Sequence, residues 1–341
     1  MLRVLTLSLL LLHGATLART PDWLAPFVTL YEQQLGQAEP CALSASGQLT
    51  VCSPTLLNNS IGPFVLHHGQ PQGPVVVLLH GLSDSPFFLR SIAPAIHQQG
   101  MTVIVGLLPG HGKHDADADM EDEHLSDRWR THLSALVGYA KTLGQPVLLG
   151  GFSTGGALVT EYTLQHPGEI SGLLLFSGAL ALDDSAESLS HFWGMGWLAR
   201  LLDGEYQTRG PNPYKYPSVS SYSAIELMEV IDHIRELQSN EVPLNVPIFA
   251  AHSLADTTTP YHGVASLLDY NRGDNLTYLV DESVGVCHAD LVINPWHLEQ
   301  MDYNATKVDS TASCKVPRAN PEHDDMLNAL ALFLQRFAST H

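Results

Sequence analysis

Val147-Leu148-Leu149-Gly150-Gly151-Phe152-Ser153-Thr154-Gly155-Gly156-Ala157-Leu158-Val159 joins an apolar run, a glycine-flanked serine and a small-residue, helix-forming segment. The run suits a buried parallel strand and the rest suits a sharp turn into a helix. In that context the loose pattern G-x-S-x-G becomes a nucleophile elbow. On a strained turn the Ser153 hydroxyl projects from the sheet edge. Gly151 and Gly155 carry no Cβ, so strand and helix can approach closely there. The Thr154 N–H, at the start of the helix, can face a developing oxyanion, aided by the helix dipole. The blander reading is a Gly-rich turn whose serine caps the helix. The strand before and the helix after Ser153 favour the nucleophile.

Length and composition set the frame around this stretch. A chain of 341 residues can bury a large core, as one α/β domain with an insertion or as two domains. With 45% hydrophobic and 15% charged residues the composition is that of an ordinary globular protein. A net charge of −19 argues against nucleic acid or an anionic membrane surface as partner, and suits a neutral or cationic small molecule.

The first 18 residues read as a signal peptide. Arg3 supplies the positive end, Leu5 to Leu12 the apolar stretch and Thr16-Leu17-Ala18 the small-residue cleavage site, so a mature, exported chain is expected from about Arg19. That apolar stretch is too short to span a bilayer, and no integral membrane segment is expected after its removal. No cysteine follows the site, which argues against a lipid anchor. Export permits disulfides, and four cysteines allow three connectivities. Cys41 with Cys52, and Cys287 with Cys314, close two short loops and are the expected pairs. Asn58, Asn275 and Asn304 each open a glycosylation sequon that matters only in a glycosylating host.

Residues 19–62 read as an appendage stapled by Cys41 and Cys52. The chain then alternates strands and helices, the rhythm of a mostly parallel sheet with right-handed crossovers, helices on both faces and an inserted cap. Strands are expected at Val75–Leu79, Met101–Leu108, Ile170–Phe176, Val246–Ala251 and Leu276–Val280. Helices are expected at Pro86–Gln99, His124–Leu143, Thr154–His166 and Pro321–Phe337. The segment from about Asp183 to Val242 breaks the rhythm. It carries Phe192, Trp193, Trp197, Tyr206, Tyr214, Tyr216 and Tyr222 and then a helix-like Ala224–Leu237. Such an insertion can supply apolar substrate contact and exclude water, or its aromatics can pack its own small core.

More chemistry lies at other strand ends. An oxyanion hole needs two converging donors, and the second usually comes from an early strand-to-helix loop. After Val75–Leu79 comes His80-Gly81-Leu82-Ser83-Asp84-Ser85-Pro86, where Gly81 allows close backbone approach and the Leu82 N–H is the donor candidate. Ser85 is a natural cap, with Pro86 at the first helical position. Leu108-Pro109-Gly110-His111-Gly112 reads as a structural turn. Asp115, Asp117 and Asp119 start like a calcium loop, but Met120 stands where glycine is needed and Ser126 where glutamate is needed. A solvated acidic loop without metal is expected, and no cofactor.

A serine nucleophile needs a base and an orienting carboxylate, in the order serine, acid, histidine for this architecture. His252-Ser253-Leu254-Ala255-Asp256-Thr257-Thr258-Thr259-Pro260 follows the strand Val246–Ala251, and Asp256 is its only carboxylate. Thr259 is the better placed residue to cap the next helix.

Together, His80-Gly81-Leu82, Leu108-Pro109-Gly110-His111-Gly112, Gly151-Phe152-Ser153-Thr154-Gly155 and Ala255-Asp256-Thr257-Thr258 resemble the α/β-hydrolase superfamily. The resemblance is to its monoacylglycerol-lipase-like carboxylesterases and serine aminopeptidase-type hydrolases. Asn212-Pro213-Tyr214-Lys215-Tyr216 is similar to a segment in the cap of those esterases. The resemblance runs from about Val75 to the C-terminus, within a hydrolase domain spanning 63–341 whose cap lies at about 183–242. It implies an α/β-hydrolase fold and an acyl-enzyme on Ser153, with Asp256 and a histidine completing the triad. The departures are the stapled N-terminal segment and the long stretch Ser283 to Ala319.

Two histidines compete for the base. His288 lies eight residues beyond Val280, whereas His323 follows a long excursion and falls in the first turn of a helix that Asn320 can cap. A helix N-terminus disfavours the imidazolium that the base must become, so His288 is expected, tied down by a Cys287–Cys314 bridge. The reading is an exported serine hydrolase acting on a small ester with an apolar acyl group. A peptidase releasing N-terminal residues is the alternative enzyme, and a non-catalytic binding protein on the same fold the alternative from another class.

Overall fold

Five apolar residues in succession, Val75–Leu79, leave a strand with no polar face, so it must be covered on both sides. A computed structural model describes residues 21–43, 47–69, 73–183, 206–239, 242–308 and 314–337. The expected signal peptide and the aromatics Phe192, Trp193 and Trp197 lie outside the described residues. The strands are β1 (Glu39–Leu43), β2 (Gln48–Cys52), β3 (Phe64–Leu66), β4 (Val75–Leu79), β5 (Thr102–Gly106), β6 (Val147–Phe152), β7 (Gly172–Phe176), β8 (Ile248–Ser253) and β9 (Asn275–Val280). They form one sheet in the order β1-β2-β3-β5-β4-β6-β7-β8-β9. The first three are antiparallel, and from β5 to β9 all neighbours are parallel. This is the α/β-hydrolase fold.

Two cores sandwich the sheet, and β4 feeds both. Val75, Val77 and Leu79 enter one with Phe27, Tyr31, Trp129, Leu136, Ala157 and Ile231. These come from the helices Ala25–Leu35, Leu125–Leu143, Thr154–Gln165 and Ser221–Gln238. Val76 and Leu78 enter the other core, with Phe87, Phe88, Ile96, Met326 and Phe333.

Several local expectations are corrected. The helix expected over Pro86–Gln99 is a 3-10 turn, Pro86–Ser91, followed by the short helix Ala93–His97. Pro94 has no N–H to continue an earlier helical ladder, and near the start of a new helix that missing donor costs nothing. Ser85 does not cap the turn, because its hydroxyl donates to the Tyr214 carbonyl at 2.7 Å. The final helix begins at His323, two residues after Pro321, and Asn320 Oδ1 accepts the Glu322 N–H at 2.9 Å. The acidic loop is only partly solvated. Asp119 is buried and ion-paired with Lys113 and Arg128, and Asp122 lies 2.8 Å from Arg128.

The expected appendage is continuous with the body. Its disulfide, Cys41–Cys52, ties β1 to β2, and β2 pairs with β3 at the sheet edge. Within the insertion, Ser221–Gln238 packs along the helix Thr154–Gln165. Glu161, buried on that elbow helix, holds Arg130 at 3.0 Å and His233 at 2.7 Å, a polar clasp joining three helices. No helix among the described residues is long and apolar enough to cross a membrane.

The elbow helix sits against the sheet only because Gly151 and Gly155 are bare. A Cβ on Gly155 would fall 2.2 Å from the Leu79 carbonyl oxygen, and one on Gly151 would fall 2.2 Å from the Gly155 backbone. Backbone cannot swing away as a side chain can, so helix and strand would have to part. Gly155→Ala is therefore expected to lower unfolding stability by about 3 kcal/mol, at the upper end of overpacking costs, as read by urea denaturation. A loss under about 0.5 kcal/mol would contradict this packing.

Candidate active site

Parallel strands end together, and their carboxyl ends gather the chemistry. Leu79 pairs with Gly151, Phe152 with Phe176 and Phe176 with Ala251, so the loops after β4, β6, β7 and β8 share one edge. Crevices at such ends are where open α/β sheets bind ligands.

Ser153 sits between β6 and the elbow helix with φ 53° and ψ −118°, a backbone conformation that only a tight surround maintains. Its N–H donates to Phe176 O at 3.1 Å, and its carbonyl accepts from Ala157 and Ala179. The Gly155 N–H donates to the His80 carbonyl at 3.1 Å and ties the elbow to the end of β4. A Cβ on Gly81 would come within 2.9 Å of Ser153 Cβ, so only glycine lets the two loops meet.

The structure brings Ser153, His288 and Asp256 together. Ser153 Oγ lies 2.9 Å from His288 Nε2, and His288 Nδ1 lies 2.7 Å from Asp256 Oδ2. Asp256 Oδ1 accepts the N–H groups of Thr258 at 2.9 Å and Thr259 at 3.0 Å, while Oδ2 accepts the Thr259 hydroxyl at 3.0 Å. Burial would raise this carboxyl, but the charge and hydrogen bond of His288 and the Thr259 N–H hold it at about 2. An ionised Asp256 can only accept, which assigns the His288 proton to Nδ1 and leaves the Nε2 lone pair toward the serine hydroxyl. The ring also packs on Phe152, with centroids 5.0 Å apart.

His323 is elsewhere. It is buried in the last helix, neither ring nitrogen makes a hydrogen bond among the described residues, and its nearest carboxylate is Asp324 at 3.9 Å. Burial lowers its pKa. Cys287 and Cys314 are bonded, and both line the cavity beside His288.

That cavity, about 440 Å³, is lined by Ser153, Thr154, His288 and Leu82, with Val219, Ala224 and Leu227 from the insertion. Leu82 is set by His80, whose role the sequence did not announce. The Leu108 N–H donates to His80 Nε2 at 3.0 Å, so the ring proton is on Nδ1, which donates to the Gly81 carbonyl at 2.8 Å. Burial, then the neighbouring His111, keep His80 well below its ordinary pKa and hence neutral. Fixing the Gly81 carbonyl also fixes the Leu82 N–H, which points the opposite way across the same planar peptide. Thr259 is a second omission. It does not cap the helix Tyr261–Tyr270, where Pro260 is the cap; its hydroxyl holds Asp256. Only its position three residues after the acid hinted at this. No cluster able to hold a metal occurs among the described residues.

Residues 70–282, more than half of the chain, match the family model described as serine aminopeptidase, S33, and the chain belongs to that family. It is 33% identical over 141 residues to a thermostable monoacylglycerol lipase of Bacillus sp. (strain H-257), covering 41% of this chain and 52% of that one. It is 26% identical over 144 residues to lipase 1 of Psychrobacter immobilis, covering 42% of this chain and 40% of the relative. The matches thus span about half or less of these relatives' lengths. Among solved structures, a Paleococcus ferrophilus monoacylglycerol lipase superposes with TM-score 0.54 at 16% identity, covering 81% of this chain and 99% of the other. A soluble variant of the Saccharomyces cerevisiae monoglyceride lipase does so with TM-score 0.55 at 14% identity, covering 89% and 96%. At such identities the likeness is one of fold.

The depressed Asp256 pKa carries a stability consequence with a definite sign. A carboxyl held below its unfolded value of 3.8 adds stability that is present above that value and lost as pH falls through about 2. The stability advantage of the wild type over Asp256→Asn, followed by urea unfolding, should therefore shrink by about 2 kcal/mol from about pH 5 to below about pH 2. A difference independent of pH would mean that the carboxylate is not stabilised in the fold.

Proposed function

We propose that this chain is an exported serine hydrolase that cleaves carboxylic esters through an acyl-enzyme on Ser153. The observation that carries the reading is the unbroken chain Ser153 Oγ, His288 Nε2, His288 Nδ1, Asp256 Oδ2, with contacts of 2.9 and 2.7 Å, opening on a cavity. His288 Nε2 takes the serine proton as Oγ attacks the ester carbonyl. The N–H groups of Leu82 and Thr154 receive the oxyanion, and the imidazolium then protonates the leaving alcohol. Water enters by the same route in reverse and releases the acid. Asp256 stays ionised throughout and balances the imidazolium.

The choice of ester rests on the relatives, which are named as lipases, and on the apolar lining that Leu82, Val219 and Leu227 contribute. Export rests on the signal-like first 18 residues, and two disulfides are at home in an oxidising compartment. The domain division proposed is a hydrolase body with a cap at about 183–242.

Two assays separate this reading from its rivals. A fluorophosphonate should label the protein once, at Ser153, and short to medium p-nitrophenyl esters should outpace aminoacyl-p-nitroanilides. Turnover of the anilides alone would replace the esterase by a peptidase, and no turnover or labelling at all would leave a binding protein. For the base, His288→Ala should lower kcat by about 10⁴-fold or more, the scale of losing a triad member, while His323→Ala, matched for folding by circular dichroism, keeps most of it. A dead His323 variant beside an active His288 variant would overturn the assignment.

A further inference from the structure

A second cavity adjoins the catalytic one. Its volume is about 220 Å³, and Lys215, Pro217, Ala289, Cys314 and Lys315 line both. Asp290, Ile293, Tyr303, Val308 and Pro317 on its wall come from the long stretch Ser283 to Ala319, which departs from the esterase pattern. Ala289 directly follows the base His288, so the compartment lies beside the point where the leaving alcohol departs.

One residue of that wall is unlike the rest. Asp290 and Asp256 are equally enclosed, each 5% exposed. Burial raises both carboxyls, but the charge and hydrogen bond of His288 bring Asp256 down to about 2, whereas Asp290 is left up at about 6. Asp290 Oδ1 is committed to structure, accepting the Arg318 N–H at 3.0 Å. Its Oδ2 makes no hydrogen bond among the described residues and is not closed off from solvent. A tether needs only one oxygen, so the other is an unmet acceptor on a cavity wall.

The remaining lining says which donor fits. Phe88, Tyr216 and Tyr303 supply rings, and Pro211, Pro217 and Pro317 supply rigid apolar surface, which together suit a flat ring. An apolar cavity of about 150 Å³ is enough for benzene, so this one admits a substituted ring. A cationic donor is opposed by Lys215 and Lys315 on the same wall, and an anion by Asp290 itself. A phenol hydroxyl is neutral below about pH 10, donates to a carboxylate and arrives on a rigid ring with little rotamer freedom to lose.

We propose that this compartment takes the leaving group of esters whose alcohol carries a hydroxyaryl ring, with the phenol O–H donating to Asp290 Oδ2. This rests on the ester-hydrolase reading and deepens it. A ring without the hydroxyl, or with a methyl ether in its place, covers the carboxylate and returns no hydrogen bond, which disfavours it.

The test is kcat/KM on four arylethyl butanoates that differ only at the ring position para to the tether: hydroxyl, methoxyl, hydrogen and aminomethyl. Ethyl butanoate reports the reaction without a ring, and fluorophosphonate labelling of each preparation counts folded sites. The wild-type protein should prefer the hydroxyl ester to the other three by about tenfold. Asp290→Asn keeps an oxygen for the Arg318 N–H and puts an amide donor in place of Oδ2, so the hydroxyl-to-methoxyl ratio should fall toward one. Val308→Trp, which fills the compartment, should lower all the arylethyl esters relative to ethyl butanoate. A wild-type hydroxyl-to-methoxyl ratio near one, a ratio unchanged in Asp290→Asn, or a preference for the aminomethyl ester would overturn this inference alone. Inertness toward every ester, p-nitrophenyl butanoate included, would overturn the ester reading, and this inference with it.

Discussion

The hydrogen bond from the Gly155 N–H to the His80 carbonyl is the contact on which the rest of this edge depends. It fastens the first turn of the elbow helix to the end of β4, two strands' breadth of chemistry drawn to one point. Such an approach is open only to glycine at positions 81, 151 and 155, because a Cβ at any of them would collide with the facing loop or backbone. In return the Ser153 backbone is held at φ 53°, with its amide and carbonyl both satisfied by neighbouring chain. Strain at the serine is thus maintained by packing elsewhere, and the hydroxyl is left at the crevice rather than in the core.

Electrostatics then order the proton path. Asp256 is enclosed, yet two backbone N–H groups, the Thr259 hydroxyl and His288 replace the water it has lost. Burial alone would neutralise the carboxyl; the charge and hydrogen bond of His288, with the Thr259 N–H, reverse the sign of the shift. That single ionised group determines the His288 tautomer and hence what faces Ser153. The buried imidazole of His80 works the other way. It is kept neutral and serves as a bridge between the Leu108 N–H and the Gly81 carbonyl.

Much of this was legible because the signals were local. The continuous apolar runs at Val75–Leu79 and Val147–Leu149 suit doubly covered strands, and the glycines around Ser153 suit a close turn. What escaped the sequence was set by partners distant in the chain. Ser85 looked like a cap, but a carbonyl 129 residues away takes its hydroxyl. Thr259 looked like a cap too, until the fold turned Asp256 toward it. The segment 19–62 seemed separate because β3 is three residues long, too short for any period to reveal that it joins β2 to β5. The facing of Asp84 and Lys215 likewise depends on two loops meeting, which no spacing records.

The central claim is covalent: the acyl group of an ester rests on Ser153 before water removes it. Acid-quenching the protein during turnover of a slowly hydrolysed ester, followed by intact mass and peptide mapping, tests this most directly. The expected result is one acyl mass on the peptide that contains Ser153, rising and then decaying as substrate is exhausted. Steady product formation with no adduct at any quench time, or an adduct on another residue, would contradict it.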